Sequence, residues 1–170
     1  MGFIRDWGST EAERGEAFPC DHLLRDADDV LFRAIDVAAR PATVFRWLCQ
    51  LRIAPYSYDL LDNYGRTSPR ALTPGLDELA VGQRVMRIFE LVAFEPGHHL
   101  TLVLDRARSV FGKIAVTYRV TPSGTGSRIV VKMRVRRPRG AMRLVASVLP
   151  AGDLFMMRKQ LRTLKQLAEA

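Results

Sequence analysis

Cysteine is scarce. Cys20 and Cys49 are the only two in 170 residues. They are too few for a disulfide framework and stand at no metal-type spacing, so both are expected to be reduced thiols. Histidine is nearly as rare. His98 and His99 follow a Pro-Gly pair, and only His22 lies elsewhere. A metal centre needs three or four rigidly held ligands, so no metal site is expected. No glycine-rich loop follows a strand and opens a helix, which removes nucleotide binding, and no serine or cysteine stands in a nucleophile-elbow context. No cofactor is expected. No run approaches the ~20 apolar residues of a membrane span. The opening MGFIRDWGSTEAERGE is polar, with no signal-peptide core, so a cytoplasmic protein is expected. Lysine occurs only at Lys113, Lys132, Lys159 and Lys165. The net charge of +8 is therefore carried by arginine.

The chain is 48% apolar, ordinary for a globular protein, and its length fits one domain over residues 1–170. The feature around which the rest is organised is the last helix, read from Gly152 to Ala168. Leu154, Met157, Leu161, Leu164 and Ala168 recur at one helical stripe, with Arg158, Lys159, Arg162 and Lys165 opposite. Asp153 near its start complements the helix dipole. Burying four large side chains of that stripe is worth roughly 6–12 kcal/mol.

Residues 1–29 read as a lead-in, with Ser9 or Thr10 capping a short helix that Pro19 stops. Val30 to Ala38 is the first strand, and Arg33 falls on its Leu31–Val37 face. A helix follows with Pro41 in its first turn and Val44, Trp47, Leu48 and Leu51 inward. Pro55 starts a second short helix that Asn63–Gly65 ends; a short strand near Arg70–Leu72 and a helical turn at Leu76–Leu79 fit the loop beyond. Strand patterns then run from Arg84 to Phe94, Leu100 to Leu104, Lys113 to Val120 and Ser127 to Arg136. Glu95-Pro96-Gly97-His98 joins the first two as a turn with proline second and glycine third. The last strand is apolar on one face and carries Lys132, Arg134 and Arg136 on the other, as where a sheet meets water. Arg139 to Leu149 is helical in composition. An amphipathic helix following such strands must lay its stripe on their sheet.

This order of elements, with WGSTEAE (7–13), RAIDVAARPATVFRWLCQL (33–51), YSYDLLDN (56–63), LAVGQRV (79–85), FELVAFEPGHHL (89–100) and the tail LPAGDLFMMRKQLRTLKQLAE, resembles a bacterial branch of the START-like helix-grip superfamily. That superfamily holds the birch-pollen-allergen-like proteins and the polyketide cyclase/dehydratase group. The resemblance implies an α+β helix-grip fold: a curved antiparallel sheet wrapped around a long C-terminal helix, with two short helices after the first strand. It also implies a cavity between sheet and helix for a small hydrophobic molecule, lipid, polyketide or isoprenoid-like, held as carrier or sensor. Fold alone does not assign an activity.

Within that frame Val116, Tyr118, Met133, Leu154 and Met157 would form apolar walls, and Tyr56, Tyr58 and Arg87 polar contacts. The alternative is a cyclase or dehydratase working by proton transfer, for which Asp59 and Glu90 are the available carboxylates. Arg33, Arg87 and Glu90 lie within apolar strands and point either to the cavity or to solvent. A further alternative is contact with anionic lipid or nucleic acid through Lys132, Arg134, Arg136, Arg137, Arg139 and Arg143. No nucleic-acid module is visible, so no specific nucleic-acid partner is expected, only weak contact with anionic surfaces.

Overall fold

The computed structural model describes residues 2–58, 67–104, 112–138 and 149–170. Three short helices come first: α1 (Gly2–Asp6), α2 (Glu11–Gly15) and α3 (Cys20–Leu23). β1 (Asp29–Val37) and α4 (Pro41–Cys49) follow, α4 running into a 3-10 turn at Gln50–Arg52. Then come β2 (Arg84–Val85), β3 (Phe89–Glu95), β4 (His99–Leu104), β5 (Lys113–Ser123), β6 (Gly126–Arg136) and α5 (Leu149–Glu169). The strands form one antiparallel sheet in the order β1-β6-β5-β4-β3-β2.

Period-two alternation fixes which side chains look toward α5. In register, Leu31, Met133, Val116, Leu102 and Leu91 form one row across five strands, and all are buried. The next row on this face is Arg33, Val131, Tyr118 and Leu100. From above, α5 contributes Met157, Leu161 and Leu164, each at most 6% exposed. The helix begins earlier than its stripe suggests. Pro150 lies in its first turn, where a missing N–H costs nothing, and Gly152 lies inside it. α5 packs on β1, α4 and α1.

The outer face departs from the sequence reading. Lys132 is 6% exposed, because the lead-in crosses this side of the sheet as a strap. Phe18, Cys20 and Leu24 cover Phe32, Ala34, Ala115 and Val130. Asp21 receives Lys132 Nζ at 2.8 Å and Arg134 Nη1 at 3.1 Å, Arg136 pairs with Asp26, and Arg137 meets Asp29 at 2.6 Å. The described cations of the stripe are thus engaged within the chain; Arg139 and Arg143 lie outside the described residues. Thr10 caps α2 through a reciprocal capping box with Glu13.

Several segments differ locally from expectation. The strand read from Arg84 to Phe94 is broken at Met86–Ile88, where Met86 and Arg87 take φ of 47° and 63°. Met86 N–H donates to the Leu51 carbonyl at 2.9 Å, which turns the chain back at the sheet edge. Residues 70–72 form no strand, and the turn read at Leu76–Leu79 falls instead at residues 74–77. The second helix read after Pro55 does not begin by Tyr58, and its remainder, like the one read over 139–148, lies outside the described residues.

The strap lies so close to β1 that a glycine is required. Gly8 has φ +76°, and a Cβ there would stand 2.1 Å from the Ala34 carbonyl oxygen. Gly8→Ala is expected to cost at least about 1–3 kcal/mol in urea unfolding. Gly152→Ala, in a helix with open space around it, should stabilise by about 1 kcal/mol.

Candidate functional site

Four polar side chains sit within the otherwise apolar sheet–helix interior. Arg33 and Tyr118 come from the same cross-strand row, flanking Val131, so their Cα atoms are about 10 Å apart. Asp153 and Gln160 come from α5. With Met157 and Leu164 they fall at i, i+4, i+7 and i+11, which is the buried face.

Arg33 is 1% exposed. Its Nη2 donates to Asp153 Oδ2 at 2.8 Å, while Nη1 donates to the carbonyls of Arg5 at 2.8 Å and Phe32 at 2.7 Å. One guanidinium thus joins β1, α1 and the start of α5. The Tyr118 hydroxyl donates to Gln160 Oε1 at 2.9 Å and lies 3.6 Å from the Met157 sulfur. Gln160 Nε2 in turn donates to the Pro55 carbonyl at 2.7 Å and contacts the Met86 sulfur at 3.4 Å. Tyr56 and Met86, two of the three non-glycine residues with positive φ among the described residues, therefore flank the Gln160 contacts.

Burial sets the electrostatics. It pushes the Asp153 carboxyl up to about 6 against the opposing pull of Arg33. It also pushes the Tyr118 phenol well above its usual range, with the Asp153 charge adding to the effect. Arg33 is drawn below the usual guanidinium range by burial, and Asp153 partly offsets that. Tyr118 is therefore a neutral hydrogen-bond donor, and Asp153 changes charge near neutral pH. Cys49 and Cys20 are free and buried, the former thiol pushed up to about 12 by burial.

The interior brings together some of the sequence-selected residues and not others. Val116, Tyr118 and Met133 are buried under α5, Met157 of α5 is itself buried, and Leu154 is half-buried. Tyr56 is 1% exposed and edge-on to Trp47 at 6.1 Å, a core position. Tyr58 stacks on Phe155 of α5 with centroids 4.7 Å apart. Arg87 is not an inward contact: it is exposed in the turn after β2. Glu90 is exposed opposite Arg84 and Val103, because the inward positions of β3 belong to Phe89 and Leu91. Asp59 lies outside the described residues. The sequence marks Asp153 only as a partner of the helix dipole and does not single out Gln160. The signal for both was their i, i+4, i+7 spacing with Met157.

Among the described residues one cavity borders α5 and another borders the strap-covered face of the sheet. One of about 90 Å³ lies beside Tyr56, Ser68, Lys159 and Thr163. Another of about 270 Å³ lies on the strap side, against Leu24, Val103, Ile114 and Lys113.

A curved antiparallel sheet gripping a C-terminal helix, with polar groups set in an apolar interior, defines a helix-grip domain. The chain belongs to the family described as polyketide cyclase / dehydrase and lipid transport, which it matches over residues 32–169. No curated protein matches it. Among solved structures it is similar to protein jhp0584 from Helicobacter pylori (11% identity, TM-score 0.57, covering 89% of this chain and 95% of that one). It is also similar to CV1439 from Chromobacterium violaceum (11%, 0.53, 83% and 97%). The di-domain ARO/CYC StfQ of the steffimycin biosynthetic pathway matches over 87% of this chain and 53% of its own (12%, 0.54). Among the described residues no helix is long and apolar enough to cross a membrane.

Proposed function

We propose that this protein binds a small, largely hydrophobic molecule between its sheet and the first two turns of α5, as a carrier or sensor. The observation that carries this reading is the graded cover along α5. Leu161 and Leu164 are sealed, Leu154 is half-buried, and Phe155 and Met156 are 59% and 36% exposed. Leu154 and Met156 flank Asp153 on the helix, and apolar surface left open beside a buried ion pair suits a ligand with an apolar body and one polar end.

Native mass spectrometry tests it, first on the protein as purified and then with long-chain fatty acids and polycyclic aromatic polyketides added. A one-to-one adduct is expected, and Leu154→Arg should remove it while circular dichroism stays unchanged. If no compound binds, or if the variant binds as well as the parent, this reading fails.

A second reading, proton-transfer catalysis of a cyclase or dehydratase type, is favoured by one feature. Asp153 titrates near neutral pH beside a neutral phenol donor and a buried cation, the groups an enolisation needs. Once a bound compound is in hand, Asp153→Asn should abolish its turnover without abolishing binding.

A further inference from the structure

We propose that the β3–β4 hairpin is a binding site for a divalent transition-metal ion such as Zn²⁺ or Cu²⁺, with Glu95, His98 and His99 as ligands. Counting imidazoles in the sequence gives only a pair here. The fold supplies the third donor by bringing Glu95 back across the turn. The turn is well fixed. His98 N–H donates to the Glu95 carbonyl at 3.0 Å, Gly97 takes φ +77°, and Val120 N–H donates to the His98 carbonyl at 2.7 Å. Glu95 and His99 are cross-strand partners in the sheet.

The donor spacing matches a metal. His98 Nδ1 lies 3.2 Å and His99 Nδ1 3.7 Å from the same Glu95 Oε2, and all three ligand atoms lie within 4.8 Å of one another. Ligands about 2.1 Å from a tetrahedral zinc stand about 3.4 Å apart. Two edges are therefore nearly in place. The third closes by small rotations of His98 and Glu95, whose side chains are 44% and 64% exposed. Two imidazoles and one carboxylate suit zinc or copper, with a fourth position open to water or an incoming donor. Burial and the neighbouring His98 hold the His99 imidazole below its usual range. The nearby cation Arg119 is paired with Glu16 of the strap, which limits its repulsion of an ion.

The chain offers an unusually clean background for the test. Its one other histidine is His22, and both cysteines are buried. Full-length protein stripped with chelator is titrated with ZnCl₂ and, separately, CuSO₄ by calorimetry. One-to-one binding is expected, weakened about tenfold or more by His98→Ala or His99→Ala and left unchanged by His22→Ala. In parallel, imidazole ¹⁵N spectra should shift at Nδ1 of His98 and His99 and not at His22. Absence of saturable binding, or binding that persists in the doubly substituted hairpin, overturns the proposal.

Discussion

Arg33→Met is expected to destabilise the domain by about 3–5 kcal/mol at pH 8, read by urea unfolding. Among the described residues the change removes the cationic partner of Asp153 and leaves a carboxylate with 17% of its side chain exposed at the start of α5. It also empties the Arg5 and Phe32 carbonyls of their donor. Adding Asp153→Leu should restore most of the loss, since a buried pair replaced by apolar side chains of similar size is often neutral. If Arg33→Met alone costs less than about 1 kcal/mol, the pair does not clamp β1 to α5.

The same carboxylate gives a pH dependence whose sign follows from its raised value. Native Asp153 keeps its proton to about pH 6, whereas in the unfolded chain it loses it near 3.8. Between those values the folded state binds more protons, so this group's favourable contribution is full below pH 4. It is lost as pH rises through 6, by about 3 kcal/mol. Glu13, Asp21 and Asp29 act oppositely, because their folded values are lowered by paired arginines and lysines. Their contribution is lost as pH falls. The difference between wild type and Asp153→Asn cancels them. It should turn against the wild type from pH 4 to 6.5, and a flat difference contradicts the assignment. The Arg33→Met penalty should correspondingly be smaller at pH 5, where Asp153 is increasingly protonated.

Phe18→Ala is expected to cost about 3–5 kcal/mol although it lies outside the family match at residues 32–169. Phe18 is 1% exposed, edge-on to Phe32 at 6.1 Å, with Arg119 at 4.0 Å and Lys132 at 5.3 Å from its ring. Removing it opens a cavity beneath the strap and strips the apolar cover from the stems of those cations. Denaturant midpoints would measure it. A loss below about 1 kcal/mol would mean that residues 2–28 are an appendage, not part of the core.

Local pattern made much of this molecule legible. The period-two runs of β4, β5 and β6, the Pro-Gly turn at Glu95–His98 and the capped helix after Thr10 are written in neighbouring residues, and the fold uses them as read. The break at Met86–Ile88 was not legible, because a run that is apolar on both sides of Arg87 and Glu90 is compatible with one strand or two. A contact to Leu51, more than thirty positions away in sequence, decides it.

The sequence by itself determined which residues alternate, where α5 carries its apolar stripe and hence that a sheet must lie beneath it. Only the tertiary structure decided what the polar residues do. Whether Arg33 faces water or Asp153, whether Lys132 and Arg134 meet solvent or Asp21, and whether Glu95 joins His98 and His99 all depend on pairs brought together from separate strands, helices or sides of a turn. Apolar burial follows from periodicity because the hydrophobic effect is non-directional. A charge is stable in the interior only beside a particular partner, and periodicity within one element does not name that partner.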